Sequence, residues 1–276
     1  MKISFYGYNT FVIKSSDKVI AIDPGASFYL PDFFKPLIPK VEWPAITHIL
    51  VTHGDPDHHW HTDRVAEVSN AAVVCNQKMI RNINGKNLIL GPRARGLSFT
   101  TEVKNIHPVK VNETIVVDDV QITGIRGTHG PLTVSMGPFS KTLHEGPQER
   151  MGYGEMGFEI QIDGTIIVNL GDTLLFEEDW KSIANPDILM VPIGGSVPGN
   201  TMSEQEALKA VEIIKPAMVI PCHYNCGALF SKCYNPADDQ LFKQEVEKLG
   251  IECIIMNQGE TIQLHENRKL PLAIGR

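Results

Sequence analysis

Short apolar runs separated by polar turn residues dominate the chain, and this pattern predicts β-strands. Three such runs lie in the first quarter, at Lys2–Phe5, 11–14 and Lys18–Ile22. Two later pairs of runs predict hairpins, with turns at Asp118-Asp119 and at Asp163-Gly164, the second a favoured hairpin dipeptide. Strands are predicted at 46–51, 114–117, 120–125, 157–162, 165–169, 217–221, 252–256 and 261–264 as well.

A helical period is clearest over residues 204–215. Ser203 is the predicted N-cap, Glu206 is its capping-box partner, and Pro216 ends the helix. Helices are also predicted at 61–69, 76–83 and 237–249. Strands and helices in both halves of the chain predict a mixed α/β protein.

The composition is that of an ordinary globular protein, and it argues against several kinds of partner. The chain has 276 residues, 42% hydrophobic and 21% charged, which is enough for a sizeable core. Its formal net charge of −7, without a basic stripe, argues against binding to nucleic acid or to an anionic membrane. An anionic small molecule stays compatible, because metal ions would neutralise it locally.

The sequence also bears on location. We find neither a signal-peptide pattern nor an apolar run that approaches the roughly 18 to 20 residues needed to span a bilayer. Five irregularly spaced cysteines suit a reducing compartment, so we expect a cytoplasmic protein. We expect Cys222 and Cys226 to be buried or pocket-wall thiols, the alternative being an accessory role in metal binding.

Segment 52–58 concentrates potential metal ligands. His53, Asp55, Asp57 and His58 follow directly after the strand predicted at 46–51. A strand end followed by a tight turn would point these side chains into one small volume, where imidazole and carboxylate groups suit a pair of divalent cations. The alternative is a solvated polar loop, but such loops seldom place His and Asp together behind a buried strand.

Three further candidates repeat this strand-then-ligand arrangement. His129, Asp172 and His223 each lie just past the end of an apolar run. A sheet can bring several strand ends to one point, so these side chains are predicted to meet segment 52–58. Alone, each would be read as a loop residue that satisfies nearby backbone groups; four occurrences of the same arrangement predict a shared site.

The ordered set resembles the signature of the metallo-β-lactamase superfamily, a His-x-His-x-Asp-His run followed by His, Asp and His. The resemblance extends over nearly the whole chain. Segments 5–11, 20–25, 190–195 and 219–225 are similar to the branch that includes L-ascorbate-6-phosphate lactonase. The resemblance implies a four-layer αββα sandwich, formed by residues 1–276 as one domain, with the site in the cleft between two sheets.

The resemblance further implies a dinuclear metal centre. One divalent ion would be held by His53, Asp55 and His129, the other by Asp57, His58 and His223, with Asp172 as the bridge. Two such ions can lower the pKa of a shared water and provide a hydroxide that attacks a carbonyl carbon or a phosphorus. Asp57 is the expected catalytic residue, orienting the nucleophile or moving its proton.

Asp55 departs from the family pattern, because it stands where the second histidine usually lies. An anionic oxygen favours Mn²⁺, Fe²⁺ or Mg²⁺ relative to Zn²⁺. We therefore expect two ions of Zn²⁺ or Mn²⁺, with Fe²⁺ as a further candidate. Asp55 is expected to ligate directly, with ligation through water or a degraded first site as the alternatives.

Two segments interrupt the regular pattern. Residues 27–44 are rich in aromatic residues and proline, and residues 130–157, which contain His144, Glu145 and Arg150, follow His129 and could form a lid. For both, a substrate-facing role and structural packing stay open. His59 and His61 lie outside the family pattern, and we expect them at the surface or beside the ligands.

The expected function is that of a metal-dependent hydrolase that cleaves a lactone, ester or phosphoester bond of a small molecule. One alternative is a di-iron redox protein on the same fold, motivated by Asp55. Another is a metal-binding scaffold without catalytic activity. The expected partners are a small, anionic or neutral substrate and, as an open option, further copies of the chain.

Overall fold

The computed structural model describes residues 1–29, 32, 34–83, 86–94, 97–136, 139–143, 154–183, 185–196, 199–229 and 231–264. The strands are β1 (Lys2–Phe5), β2 (Phe11–Ser15), β3 (Lys18–Ile22), β4 (Phe28–Tyr29), β5 (His48–Val51), β6 (Ala72–Asn76), β7 (Ile80–Ile83), β8 (Lys86–Ala94), β9 (Leu97–Glu102), β10 (Ile106–Val109), β11 (Thr114–Val117), β12 (Val120–Arg126), β13 (Leu132–Met136), β14 (Phe139–Leu143), β15 (Met156–Ile162), β16 (Thr165–Asn169), β17 (Ile188–Pro192), β18 (Met218–Cys222), β19 (Cys226–Leu229), β20 (Ser231–Tyr234), β21 (Glu252–Cys253) and β22 (Thr261–Gln263). The helices are α1 (Pro56–His59), α2 (Thr62–Ser69), α3 (Glu177–Trp180), α4 (Glu204–Ile214) and α5 (Asp239–Lys248), with 3₁₀ turns at Lys40–Ala45 and Gln77–Met79.

Two seven-stranded sheets form the centre of the fold. The first has the order β10-β6-β5-β3-β2-β1-β22, and the second has the order β11-β12-β15-β16-β17-β18-β21. Three smaller sheets accompany them: β13-β14, β20-β19-β4 and β7-β8-β9. Within the described ranges, no helix is long and apolar enough to cross a membrane.

Alternating burial along the strands sorts the apolar side chains into layers. Phe11 and Ile13 of β2 belong to a cluster that also contains Phe158 and Ile160 of β15, so this core lies between the two sheets. Val12 points the other way, into a cluster with residues of α2 and of the 40–45 turn. A third cluster joins the second sheet to α3, α4 and α5. The four-layer αββα prediction is confirmed.

The predicted helices and strands are present in the structure except in one segment, although the strand predicted at 252–256 extends only over Glu252–Cys253. Helix α4 has the predicted capping box between Ser203 and Glu206. The helix predicted at 76–83 is wrong: β6 ends at Asn76, a 3₁₀ turn follows, and β7 pairs with β8. The Asn76 side chain accepts the Lys78 N–H, and pairing with β8 supplies the hydrogen bonds that a helix would otherwise make.

Candidate metal centre

All seven predicted ligands meet at one end of the facing sheets. His53 follows β5, Asp55 is the N-cap of α1 without capping it through its side chain, and Asp57 and His58 lie on α1 itself. The second sheet contributes three side chains, each just beyond a strand end: His129 after β12, Asp172 after β16 and His223 after β18. The Asp57 side chain is 21% exposed, and the other six are buried.

The donor atoms form two groups that match the predicted sites, and a third set of His53, His58 and Asp172 spans both groups with the same spacing. Oδ2 of Asp55 lies 3.5 Å from Nε2 of His53 and 3.7 Å from Nε2 of His129. Oδ2 of Asp57 lies 3.4 Å from Nε2 of His58 and 3.6 Å from Nε2 of His223. In each group the donor atoms all lie within 4.8 Å of one another. Two donors on one tetrahedral ion lie about 3.3 Å apart, so this spacing suits a divalent metal.

Asp172 lies between the two groups. Its Oδ2 is 2.9 Å from Nε2 of His223, 3.5 Å from Nε2 of His58 and 3.9 Å from Nε2 of His129. The carboxylate therefore contacts both groups, as a bridging ligand would.

Unpartnered atoms at the centre indicate that a ligand is expected there. Nε2 of His53, His58 and His223 and Oδ1 of Asp172 are buried and make no well-directed hydrogen bond in the described structure, although Nε2 of His223 lies 2.9 Å from Oδ2 of Asp172. An unsatisfied buried polar group costs about 1–3 kcal/mol. A divalent cation would accept these lone pairs, so the donor set fits metal ions.

The carboxylates and imidazoles also shift each other's protonation. Burial alone would raise the pKa of Asp172, but His223 and His58 hold it well below its usual range. Burial lowers the pKa of His223, yet Asp172 and Asp57 raise it to about 9. Protons and metal ions therefore compete for the same nitrogen atoms, because a ligating imidazole must be neutral.

Asp23 orients two of the histidines. Nδ1–H of His58 donates to its Oδ2 at 2.7 Å, and Asn9 donates to the same oxygen at 2.7 Å. Thr52 donates its N–H to Oδ1 and its hydroxyl to Oδ2, both at 2.7 Å. The Thr52 oxygen, 3.1 Å from Nδ1 of His53, can then accept that N–H. Both rings are held with Nε2 towards the centre.

His129 is oriented by backbone instead. Its Nδ1–H donates to the carbonyl oxygen of Gly130 at 2.6 Å. Gly130 is in turn held by Asn200, whose carbonyl accepts the Gly130 N–H at 2.7 Å. The Nε2 lone pair of His129 is thereby directed towards Asp55 and Asp172.

Comparison with known proteins agrees with this geometry. Residues 2–223 match the model of the beta-lactamase superfamily domain. A UPF0173 metal-dependent hydrolase from Carboxydothermus hydrogenoformans is 30% identical over 269 residues, which cover 96% of this chain and all of that protein. The chain belongs to the UPF0173 family of metal-dependent hydrolases. The superfamily assignment made from the motifs is confirmed, whereas the resemblance to ascorbate-6-phosphate lactonase stays a prediction.

Solved structures of this fold have varied functions. Igni18, a metallo hydrolase from Ignicoccus hospitalis, has a TM-score of 0.65 at 22% identity, over 95% of this chain and 97% of that one. The diiron β-hydroxylase CmlA from Streptomyces venezuelae has a TM-score of 0.63 at 13% identity, over 95% of this chain and 54% of that one. At these identities the likeness supports the fold alone.

The sequence analysis did not identify some of the residues that shape the site. Asp23 follows β3 in the same strand-then-ligand arrangement, but it precedes Pro24-Gly25 rather than another ligand, so its role was not assigned. A Cβ on Gly25 would lie 1.7 Å from the carbonyl oxygen of Asp57, which shows how closely the two backbones approach. Asn235 was missed because nothing local marks its contact with His223.

Tyr234 lies opposite Cys226 in the pair formed by β19 and β20. Burial raises the pKa of its hydroxyl, and the charges of Asp57 and Asp172 raise it further, so the phenol stays neutral.

Histidines 59 and 61 lie outside the candidate ligand groups, as predicted, but both are buried rather than at the surface. His59 donates from Nδ1 to the backbone oxygen of Asp55 at 3.1 Å, which fixes the turn that carries this ligand. His61 donates from Nε2 to the backbone oxygen of Phe34 at 3.1 Å.

The cysteines beside His223 are buried, and burial raises the pKa of both thiols. Cys222 Sγ lies 3.4 Å from Oδ1 of Asn9, and Cys226 Sγ lies 3.5 Å from the carbonyl oxygen of Tyr224. Among the described residues, no candidate metal group contains a cysteine. The expectation of buried thiols is confirmed.

The two interrupting segments are only partly described. In 27–44, Trp43 is buried, and its ring centroid lies 5.9 Å from that of His61. The Phe34 ring stacks on the Trp60 ring, with 4.6 Å between the centroids. In 130–157, β13 and β14 form an antiparallel pair. His144, Glu145 and Arg150 of the expected lid lie outside the described residues, so the lid stays a prediction.

Proposed function

We propose that the protein hydrolyses a lactone, ester or phosphoester bond of a small molecule at a dinuclear metal centre. The observation that supports this most is the position of Asp172, whose Oδ2 lies 2.9–3.9 Å from histidines of both groups. His53, Asp55 and His129 would hold one ion, and Asp57, His58 and His223 the other. Divalent cations at such a site acidify a water and stabilise negative charge on oxygen.

Asp57 is the residue of this set best placed to act on the reacting water. Its side chain is 21% exposed, against 9% for Asp55 and 1% for Asp172. Neighbouring imidazoles hold the pKa of Asp57 below its usual range despite burial, so it is ionised at neutral pH. An ionised carboxylate at the edge of the centre can accept a hydrogen bond from a water and so orient it.

The substrate class rests on the sequence resemblance to ascorbate-6-phosphate lactonase and on the chemistry of the centre. A lactone carbonyl and a phosphoester both develop negative charge on oxygen during hydrolysis, which two cations would stabilise. Cytoplasmic action on a soluble metabolite is the matching expectation. Because both sheets contribute ligands, we treat residues 1–276 as one functional domain.

The second candidate is a di-iron redox protein, and one observation favours it. Asp55 places an anionic oxygen in the first group, 3.5 Å and 3.7 Å from its two imidazoles, where it is close enough to share an ion with them. Carboxylate ligands suit Fe²⁺ and Mn²⁺ better than Zn²⁺. A hydrolase with Mn²⁺ or Fe²⁺ would have the same ligands, so metal analysis must be combined with an activity assay.

The experiment combines metal content with turnover. Purified protein is analysed for bound metals and assayed on a panel of lactones, carboxylate esters and phosphodiesters. Asp172→Ala removes the bridge, and we expect it to lower occupancy of both sites and nearly abolish hydrolysis. Full metal content with unchanged turnover in Asp172→Ala would contradict the dinuclear proposal. Metal binding without hydrolysis of any compound, together with oxygen-dependent redox activity, would favour the second candidate.

A further inference from the structure

His223 differs from the other three histidines in what holds its ring. Nδ1 of His58 faces a carboxylate, Nδ1 of His53 faces a hydroxyl, and Nδ1 of His129 faces a backbone carbonyl. Each partner is an oxygen that can accept N–H. Nδ1 of His223 instead lies 2.8 Å from Nδ2 of Asn235, and a half-turn of this side-chain amide would bring Oδ1 to the same place.

The orientation of this amide decides which nitrogen of His223 holds the proton of a neutral ring. If the NH₂ group donates to Nδ1, the proton must sit on Nε2, which faces Asp172 at 2.9 Å, and that nitrogen is closed to a metal. If Oδ1 accepts from Nδ1–H, the lone pair of Nε2 faces the centre. A half-turn of the amide exchanges the two arrangements. With Nδ2 towards the ring, Oδ1 is buried without a partner in the described structure, and the half-turn would give it Nδ1–H.

The surrounding structure holds Asn235 against the ring. Asn235 is fully buried, and its backbone has a φ of 56°, a left-handed conformation that asparagine tolerates. Its carbonyl accepts the Asn225 N–H at 2.8 Å. A Cβ on Gly194 would lie 2.5 Å from the His223 carbonyl oxygen and 2.6 Å from the Asn235 Cβ, so both residues pack against this glycine.

We propose that Asn235 is the positioning residue of His223: its Oδ1 accepts Nδ1–H and keeps the Nε2 lone pair directed at the metal centre. The proposal rests on the proposed function, because it needs a metal at Nε2. It also makes the centre asymmetric. His58 donates its Nδ1–H to the anionic carboxylate of Asp23, whereas His223 donates to a neutral amide. His223 is therefore the less electron-rich ligand of the second group.

The test uses two substitutions at Asn235 and a matched control. Asn235→Leu keeps the approximate size of the side chain and removes the acceptor, while Asn235→Asp keeps an acceptor at the same place. Asn70→Leu is the control for backbone strain, because Asn70 also has a left-handed backbone, with a φ of 58°. Asn70 is the exposed residue that follows α2, and it belongs to no candidate ligand group.

Zinc is the probe, and two readouts do not depend on turnover. Competition with a chromophoric chelator gives the zinc dissociation constant, and long-range ¹H–¹⁵N correlations in zinc-loaded protein show which ring nitrogen of His223 holds the proton. We expect Asn235→Leu to weaken binding at one site about 10-fold to 100-fold, as loss of an outer partner does. Asn235→Asp and Asn70→Leu should stay close to the wild type, and wild-type His223 should hold its proton on Nδ1.

Three outcomes would overturn the proposal, and they are distinguishable. Equal zinc affinity in Asn235→Leu and the wild type removes the role of Asn235 and leaves the metal centre intact. A proton on Nε2 of zinc-loaded His223 removes His223 from the set of metal ligands, and the role of Asn235 with it. Absence of zinc binding by the wild type overturns the metal centre and this inference with it. If Asn235→Leu does not fold, Asn235→Ala, which also removes the acceptor, is measured in its place.

Discussion

Asp23→Asn should weaken both the fold and the metal centre, although Asp23 contacts no metal. Its carboxylate is fully buried and accepts four hydrogen bonds, from Asn9, from the N–H and hydroxyl of Thr52, and from His58. An asparagine keeps one acceptor oxygen. If that oxygen takes the place of Oδ2, its NH₂ group faces the Thr52 N–H; if the amide is turned, the NH₂ group faces His58 Nδ1–H.

The magnitude follows from these contacts. A buried hydrogen bond to a charged group contributes about 1.5–3 kcal/mol, and the substitution sets at least one donor against another donor. We therefore expect the free energy of unfolding to fall by about 2–3 kcal/mol. Metal affinity should fall about 10-fold to 100-fold, because the ring of His58, and through Thr52 that of His53, loses its orientation.

The assay has a matched control in Asp163→Asn. Asp163 has nearly the same backbone conformation as Asp23, with φ values of 49° and 48°. It is exposed, and its carboxylate accepts only from the hydroxyls of Ser15 and Ser16, at 2.7 Å and 2.8 Å. Urea unfolding of chelator-treated protein gives the stability change, and chelator competition gives metal affinity. If Asp23→Asn changes neither quantity more than Asp163→Asn does, the orienting role of Asp23 is wrong.

Two further predictions concern Asp55 and His48. Asp55→His restores the usual family pattern and should shift the metal preference towards Zn²⁺. The measurement is the metal occupancy and the activity of apo-protein reconstituted with each metal. An unchanged ranking of the metals would show that Asp55 does not tune the site. Burial lowers the pKa of His48, whose Nε2–H donates to the Val117 carbonyl at 3.0 Å. The folded state then binds fewer protons, so stability is full above about pH 6.5 and is lost as the pH falls through the lowered folded pKa. His48→Gln should flatten the pH dependence of the urea midpoint in that acid range, and an identical slope in both proteins would count against this assignment.

The sequence was informative about the ligands because their signal is local. Each of the seven lies within a few residues of a buried strand, and the parallel strands β16, β17 and β18 place their carboxyl ends at one edge of the second sheet. The position of His223, for example, follows from the apolar run of β18 alone. Strand periodicity and the position of polar residues after it were enough to predict where the ligands meet.

The residues that orient the ligands were not predictable in the same way. Asp23 and His58 are 35 residues apart in sequence, and they meet only because β3 and β5 are parallel neighbours in the first sheet. Asn235 reaches His223 because β19 and β20 return the chain over the end of β18. Such contacts depend on tertiary pairing, as does β7, where pairing with β8 prevailed over a local helical pattern.

The division of the ligands between the two sheets links the metal centre to the fold. The first sheet and α1 contribute four of them, and the second sheet contributes His129, Asp172 and His223. Between the two sets, the shortest distance from a carboxylate oxygen to an imidazole nitrogen is 3.5 Å, between Asp172 and His58, and Asp57 and His223 follow at 3.6 Å. An ion shared across this gap would bind the folded arrangement of both sheets and not the unfolded chain, so its binding free energy would add to the stability of their packing. This is a physical reason for a family to retain buried carboxylates and imidazoles between two sheets, where without metal they would oppose folding.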